Sequence, residues 1–247
     1  MSSTLPVVKR RCTRLPCRWN TIRDSAASQR RRCRVPSGKA SGLKTMGSYN
    51  PAVIFNQLPG FTISGLLPPY VGSDPTVSHL TSPYPTTMDV LTQHFATSQK
   101  RGEILRGFLA LRQALASLGI TDGFQWLNGS FSEQIEMREQ RDPRDLDVVT
   151  FFKRPAAVKD DAAFAAFFAT NSNLFTAAYT KQQFSCDAYF VDLDVEPISV
   201  VSQTRYWYGL FSHRRATGEW KGMIELPLAV SQADTDAAGI LSQRGMP

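Results

Sequence analysis

Apolar residues along the chain follow two rhythms. Ile104, Phe108, Leu111, Leu115 and Leu118 recur at intervals of four and three. That is the stripe of a helix over about 98–118 packed on a sheet. Gly119 supplies its stop. A shorter helix is expected to begin near Thr87, a residue type suited to N-capping. Beyond Gly119 the rhythm changes. Residues 124–127 (FQWL), 145–152 (DLDVVTFF) and 186–193 (CDAYFVDL) read as strands. Helices are expected over 160–170 and 173–182, with Phe164, Phe167, Phe168, Leu174 and Phe175 covering the sheet, and over about 197–208. Residues 132–144, with seven charges, read as a polar loop. Residues 211–226 read as a hairpin turning at Ala216-Thr217-Gly218, and the last 20 residues hold at most a weak helix. This order predicts an α+β domain: a small mixed β-sheet with helices packed mainly on one face.

Proline marks the approach to that domain. Residues 51–86 carry seven of the chain's fifteen prolines, which forbids a regular helix there. Interleaved Ile54, Phe55, Leu58, Phe61, Leu66, Leu67 and Tyr70 predict an extended lead-in, 46–86, that packs onto a domain at 87–227. Residues 228–247 follow as a tail.

Charge sharpens the division. Residues 1–45 hold 12 Lys/Arg and the single acid Asp24, whereas the rest holds 16 Lys/Arg and 20 acids. The chain's net +7 therefore belongs to its first segment. That segment lacks apolar periodicity and is expected to be disordered, since it cannot bury enough surface to offset its ordering entropy. It reads more readily as an over-extended start, with Met46 the natural beginning, than as an arm binding nucleic acid. A chain starting at Met46 should melt at the same temperature as the full one. A loss of several degrees in thermal denaturation would show that the segment packs.

No apolar run approaches the ~18–20 residues that span a bilayer, so no membrane partner is expected. Arg and Lys interrupt the N-terminus where a secretory signal would be apolar. Cys12, Cys17, Cys33 and Cys186 complete no zinc pattern. A reduced, cytoplasmic setting is the expectation.

The candidate chemistry lies between 124 and 192. Gly129-Ser130 follows the first strand. After fourteen further residues, Asp145-Leu146-Asp147 opens the second strand. Strand alternation puts Asp145 and Asp147 on one face. Two adjacent carboxylates repel unless a proton or cation intervenes. Hard Mg²⁺ suits them, because it prefers oxygen ligands and retains substrate phosphates in its shell. Gly129 lets backbone approach a phosphate, and Ser130 can donate a hydroxyl beside free N–H groups. Asp187, near the start of the third strand, is the best third acid; Asp192 and Asp194 are weaker candidates. Three carboxylates could hold two metal ions for an in-line phosphoryl displacement.

The ordered set of Gly129-Ser130, Asp145-Leu146-Asp147 and Asp187 resembles the DNA polymerase β-like nucleotidyltransferase superfamily. The likeness is closest to its small bacterial minimal-nucleotidyltransferase branch. It covers about 124–192 and extends loosely over 50–227. Leu67-Pro68-Pro69-Tyr70, Trp126 to Phe131 (WLNGSF) and Lys221-Gly222 are similar to an uncharacterised bacterial group within it. The spacing from Gly-Ser to Asp-x-Asp is slightly longer than the superfamily's usual one. The resemblance implies a nucleotidyltransferase core and metal-dependent transfer of a nucleoside monophosphate from an NTP to an unknown acceptor, which can be a protein. Asp145, Asp147 and Asp187 would be the catalytic, Mg²⁺-binding acids, and Gly129 and Ser130 would hold the triphosphate. The same branch includes antitoxins, so a contact-only regulator of a toxin partner is the competing expectation.

Other residues weigh less. Arg141 or Arg144 can reach phosphates from the loop, although a solvated loop is the plainer reading. His213, Arg214, Arg215 and Lys221 can neutralise a triphosphate. Tyr206-Trp207-Tyr208 can stack a base, with core packing the more ordinary use. His79, His94 and His213 are too dispersed for a dyad or a zinc site.

Overall fold

The computed structural model describes residues 54–246. The expectations for residues 1–45 and for Met46 lie outside them. The lead-in is extended, as its prolines dictate, and its one helical feature is a 3₁₀ turn at Ser78–Leu80. It is also well packed: Leu58, Leu66 and Leu67 are buried. The Thr86 hydroxyl and the Phe55 N–H tie it down through the Phe55 and Pro85 carbonyls, at 2.7 Å each. It ends in a two-residue strand, β1 (Tyr84–Pro85), that joins the sheet.

Two helices follow, α1 (Met88–Phe95) and α2 (Gln99–Ser117). Thr87 is the N-cap residue of α1 but makes no side-chain cap bond. The Ser98 hydroxyl caps α2 by accepting the Arg101 N–H at 3.3 Å. All of Ile104, Phe108, Leu111 and Leu115 are fully buried, as the stripe requires.

Strand β2 (Gly123–Asn128) leads into a 3₁₀ turn at Ser130–Ser132 and a short helix, α3 (Ile135–Glu139). The stretch 132–144 is thus partly helical, contrary to the expected loop. Ile135 is buried and anchors the turn against the domain. Strand β3 (Leu146–Phe152) pairs antiparallel with β2. A parallel neighbour requires a crossover. It is supplied by α4 (Asp161–Thr170), a 3₁₀ turn at Ser172–Phe175 and α5 (Ala177–Phe184), which deliver β4 (Cys186–Asp192) alongside β3. Phe164, Phe167, Leu174 and Phe175 pack against the core, whereas Phe168 remains 43% exposed.

Helix α6 runs over Pro197–Phe211, beyond its expected end at 208. Trp207, Leu210 and Phe211 continue at helical spacing and seat on the sheet. Of the expected hairpin at 211–226 the turn at Ala216-Thr217-Gly218 is present, closed by the Arg214 N–H donating to the Glu219 carbonyl at 2.9 Å, but the long ladder is not. Its first residues finish the helix, a single bridge joins His213 and Trp220, and β5 (Ile224–Pro227) pairs instead with β2 and β1. The sheet order is β1-β5-β2-β3-β4, with parallel outer pairs and antiparallel inner ones. The C-terminal stretch is a second correction. Helix α7 (Gln232–Gln243) packs on α1 and α2, with Asp234, Ala237 and Leu241 buried.

The chain is an α+β protein with a five-stranded mixed sheet. Side-chain alternation divides the core in two. Leu127, Leu146, Val148, Phe152, Cys186, Ala188, Ile224 and Leu226 face α1, α2, α5 and α7. Trp126, Val149, Phe151 and Val191 face the other way, under α6. Among the described residues, no helix is long and apolar enough to cross a membrane.

Candidate functional site

The register of β3 and β4 builds the site. Asp147 and Asp187 are direct partners across this parallel pair. Both belong to the alternation that includes Val149 and Val191, so they stand on the α6 side, away from α2. Asp145 precedes β3 with the same parity as Asp147. The end of β2 faces them, because Asn128 pairs with Asp147.

The chain turns at that point through Gly129, with φ +83° and ψ −165°. A Cβ there would lie 2.7 Å from an Asp147 carboxylate oxygen. The glycine is required twice, by its dihedral and by the closeness of the acid. Asn128 holds the turn: its Nδ2 donates to the Phe211 carbonyl at 2.7 Å, and its Oδ1 accepts the Gly129 N–H at 2.8 Å. Gly129→Ala should cost ~1–3 kcal/mol and displace Asp147. Chemical denaturation measures the first effect and a crystal structure of the variant the second. A fully stable variant would show that the turn has slack.

Lys221 fixes the turn from the opposite side. Its buried ammonium donates to the Gly129 carbonyl at 3.1 Å and to Glu133 at 2.7 Å. Burial pulls this ammonium below its ordinary pKa, while Glu133 opposes the shift. Gly222 follows in close contact, its N–H donating to the Leu67 carbonyl at 2.8 Å, and a Cβ there would stand 2.3 Å from the Pro68 carbonyl oxygen. Leu67-Pro68 and Lys221-Gly222, remote in sequence, thus form one support behind Gly129.

These residues open on a cavity of about 360 Å³. Gly129, Ser130, Arg144, Asp145, Asp147, Asp187 and Lys221 all line it. Arg141, His213, Arg214 and Arg215 line it too. Asp192 and Asp194 do not. They sit at the far end of β4, where Asp192 accepts Arg154 Nε at 2.7 Å and Asp194 accepts the Arg154 backbone N–H at 2.8 Å.

Two participants were not anticipated. Lys181, in the last turn of α5, places its ammonium 2.6 Å from Asp145 and 3.5 Å from Asp187. The bond to Asp145 raises its pKa. Its signal was positional: α5 ends one residue before β4, so a basic residue in its last turn lies beside the acids. Glu133, expected to be solvated, is 5% exposed and receives Lys221 at 2.7 Å and Arg214 at 3.6 Å.

The acids are electrostatically unequal. Burial, then the charges of Asp145 and Asp187, push the Asp147 carboxyl up to about 6, against the pull of Arg215 and Lys221. Burial is the larger cause, so the proton is held at Asp147 even though Arg141, Arg144, Lys181, Arg214, Arg215 and Lys221 line the same cavity. Three carboxylates form a hard oxygen donor set suited to a divalent cation such as Mg²⁺. As the side chains stand, no group of three or more His, Cys, Asp or Glu among the described residues is close enough to hold an ion. The Lys181 ammonium supplies positive charge between two of the acids. The donor set fits a metal by its chemistry, and Lys181 would have to yield to one.

Residues 59–227 match the family of unknown function DUF6932. The match spans more than half of the chain, which belongs to that family. No curated protein and no solved structure matches the chain.

Proposed function

We propose that the chain is a metal-dependent nucleotidyltransferase that moves a nucleoside monophosphate from an NTP to an acceptor hydroxyl and releases pyrophosphate. One observation carries this reading: Asp147 and Asp187 are register partners facing the Gly129 turn in one cavity lined with cations.

Gly129 and Ser130 offer backbone and a hydroxyl to the β- and γ-phosphates, because no Cβ intervenes at the turn. Arg144, Arg215 and Lys181 line the same space and can neutralise the polyphosphate. Asp145, Asp147 and Asp187 would hold Mg²⁺, with two ions possible. Bound there, the metal would supply charge neutralisation at the reacting phosphoryl group. The acceptor oxygen forms its new bond to the α-phosphorus, and the bond from that phosphorus to the bridging oxygen breaks in line. The electron pair leaves with pyrophosphate. The acceptor's proton passes to Asp187, which is partly exposed in the cavity. The acceptor can be a protein hydroxyl.

The test is calorimetric titration of the full chain with Mg²⁺ and each of the four ribonucleoside triphosphates. Binding that requires Mg²⁺ is the expected result. If none of the four binds, the enzymatic reading fails. The chain is then better read as a contact-only partner, antitoxin-like, in which Lys181 permanently neutralises the acids.

A further inference from the structure

A second cavity, of about 350 Å³, adjoins the first and shares Asp147, Asp187 and Arg215 with it. Its remaining wall is largely aromatic: Tyr189, Tyr206 and Trp207. The geometry follows from two periodicities. Tyr189 is two residues beyond Asp187 on β4, so it rises from the same sheet face. Helix α6 crosses that face and turns Trp207 toward it. The Tyr189 and Trp207 ring centroids are 4.6 Å apart at 42°, and Tyr206 lies 5.0 Å from Trp207 at 76°. Tyr208 goes elsewhere, 6.2 Å from Trp126. Helical spacing therefore sends two members of the Tyr206-Trp207-Tyr208 run to the cavity and one away from it.

Core packing accounts for one edge of Trp207, which rests on the α6-side cluster. It does not account for Tyr189 and Tyr206, which remain 38% and 60% exposed beside the acids. Large rings left against an open cavity forgo apolar burial, and clustered exposed rings mark a binding surface.

We infer that this aromatic cavity is the nucleobase subsite for the donor nucleotide. The inference rests on the nucleotidyltransfer reading above and extends it. With the polyphosphate at Gly129 and Ser130 and the α-phosphate at Asp147 and Asp187, the nucleoside continues past those two acids into the aromatic cavity. A flat heteroaromatic ring is the ligand those walls suit. The subsite should accept all four bases. No amide side chain lines it, its carboxylates are the two acids committed to the phosphate end, and Arg215, shared with the first cavity, is committed to the polyphosphate. Every base has a π-face, so recognition by stacking discriminates weakly among bases.

The test compares Mg²⁺-NTP with Mg²⁺-tripolyphosphate, which carries the phosphate chain without a base. Titrations use the full chain as wild type, Tyr206→Ala and Tyr206→Leu. Wild type should bind each NTP about tenfold more tightly than tripolyphosphate, the order of one stacked base, and the four NTPs should agree within about threefold. Each variant should lose most of that advantage and keep its tripolyphosphate affinity. Tyr206 is the most exposed ring of the three, so its removal leaves the core intact. As a second readout, ATP should quench tryptophan fluorescence in wild type but not in Trp207→Phe, and tripolyphosphate should quench in neither. If wild type binds tripolyphosphate and NTP equally, or if the variants weaken both alike, the subsite is overturned while the phosphate site stands. If neither ligand binds, the nucleotidyltransfer reading falls and the subsite with it.

Discussion

Asp147→Asn is expected to abolish nucleotide transfer, lowering the rate by at least about a hundredfold, and to weaken Mg²⁺-NTP binding while leaving the fold intact. The change removes a charge at nearly constant size from the most perturbed acid of the site, whose pKa is pushed up to about 6. The same shift fixes the pH dependence of stability. A carboxyl whose folded-state pKa lies above its unfolded value of 3.8 binds its proton more tightly in the folded chain. That stabilising contribution is complete below about pH 4 and disappears as pH rises through about 6. Above that range the ionised Asp147 costs on the order of 1–3 kcal/mol. Wild type and variant should therefore melt together near pH 4, and the variant should melt higher at pH 8. Divalent cation should raise the wild-type melting temperature at pH 8 and act less on the variant. Ligand binding to wild type should likewise strengthen from pH 5 to pH 7, as the carboxyl ionises. Melting curves that coincide at both pH values would mean that Asp147 is already neutralised in the fold. Equal NTP affinity in the two proteins would remove the acid from the site.

The elements were legible where local pattern decides them. The 4-3-4-3 stripe of α2 and the β-branched run of β3 each dictate one periodicity, and the structure keeps both. The conjunction of Gly129, Asp145, Asp147 and Asp187 was legible as an ordered set, because strand alternation alone places two of the acids on one face. That Asp147 and Asp187 are register partners was not legible, since it depends on how α4 and α5 deliver β4. Lys181 was missed for the same reason: its approach to Asp145 is set by where α5 ends relative to two strands. The shortened hairpin has a related cause. Ile224 and Leu226 alternate as a strand should, but alternation does not select a partner. Beyond Gly218, the free edge of β2 offers a longer ladder than the segment after Phe211, which is committed to α6.

Asp234→Ala is expected to be the most damaging change to stability. The reason lies in a segment with little sequence signal, just past the end of the family match at 227. Asp234 is the third residue of α7 and closes a capping box with Ser231, whose N–H it accepts at 3.0 Å. Its carboxylate also reaches across the core to Arg112 of α2, at 2.6 Å from Nε and 3.2 Å from Nη2. Arg112 is 2% exposed. Its other hydrogen bonds go to the Gln125 side chain at 2.8 Å and the Pro227 and Ala229 carbonyls at 3.0 and 3.1 Å, all without charge. Removing Asp234 leaves a buried guanidinium with no counter-charge, which costs about 3–5 kcal/mol, and the lost cap adds to it. A domain of this size has a total stability of only ~5–15 kcal/mol. The melting temperature should fall by at least about 6 °C. Asp234→Asn, which keeps hydrogen-bonding oxygen without the charge, should lose less. Arg112 and Asp234 pack on the sheet face opposite Asp147 and Asp187. Whatever fraction of Asp234→Ala remains folded at low temperature should therefore bind Mg²⁺-NTP as wild type does. A loss below ~1 kcal/mol in denaturant titration would show that water reaches Arg112 and that α7 is peripheral. Unchanged stability paired with lost ligand binding would tie α7 to the site instead.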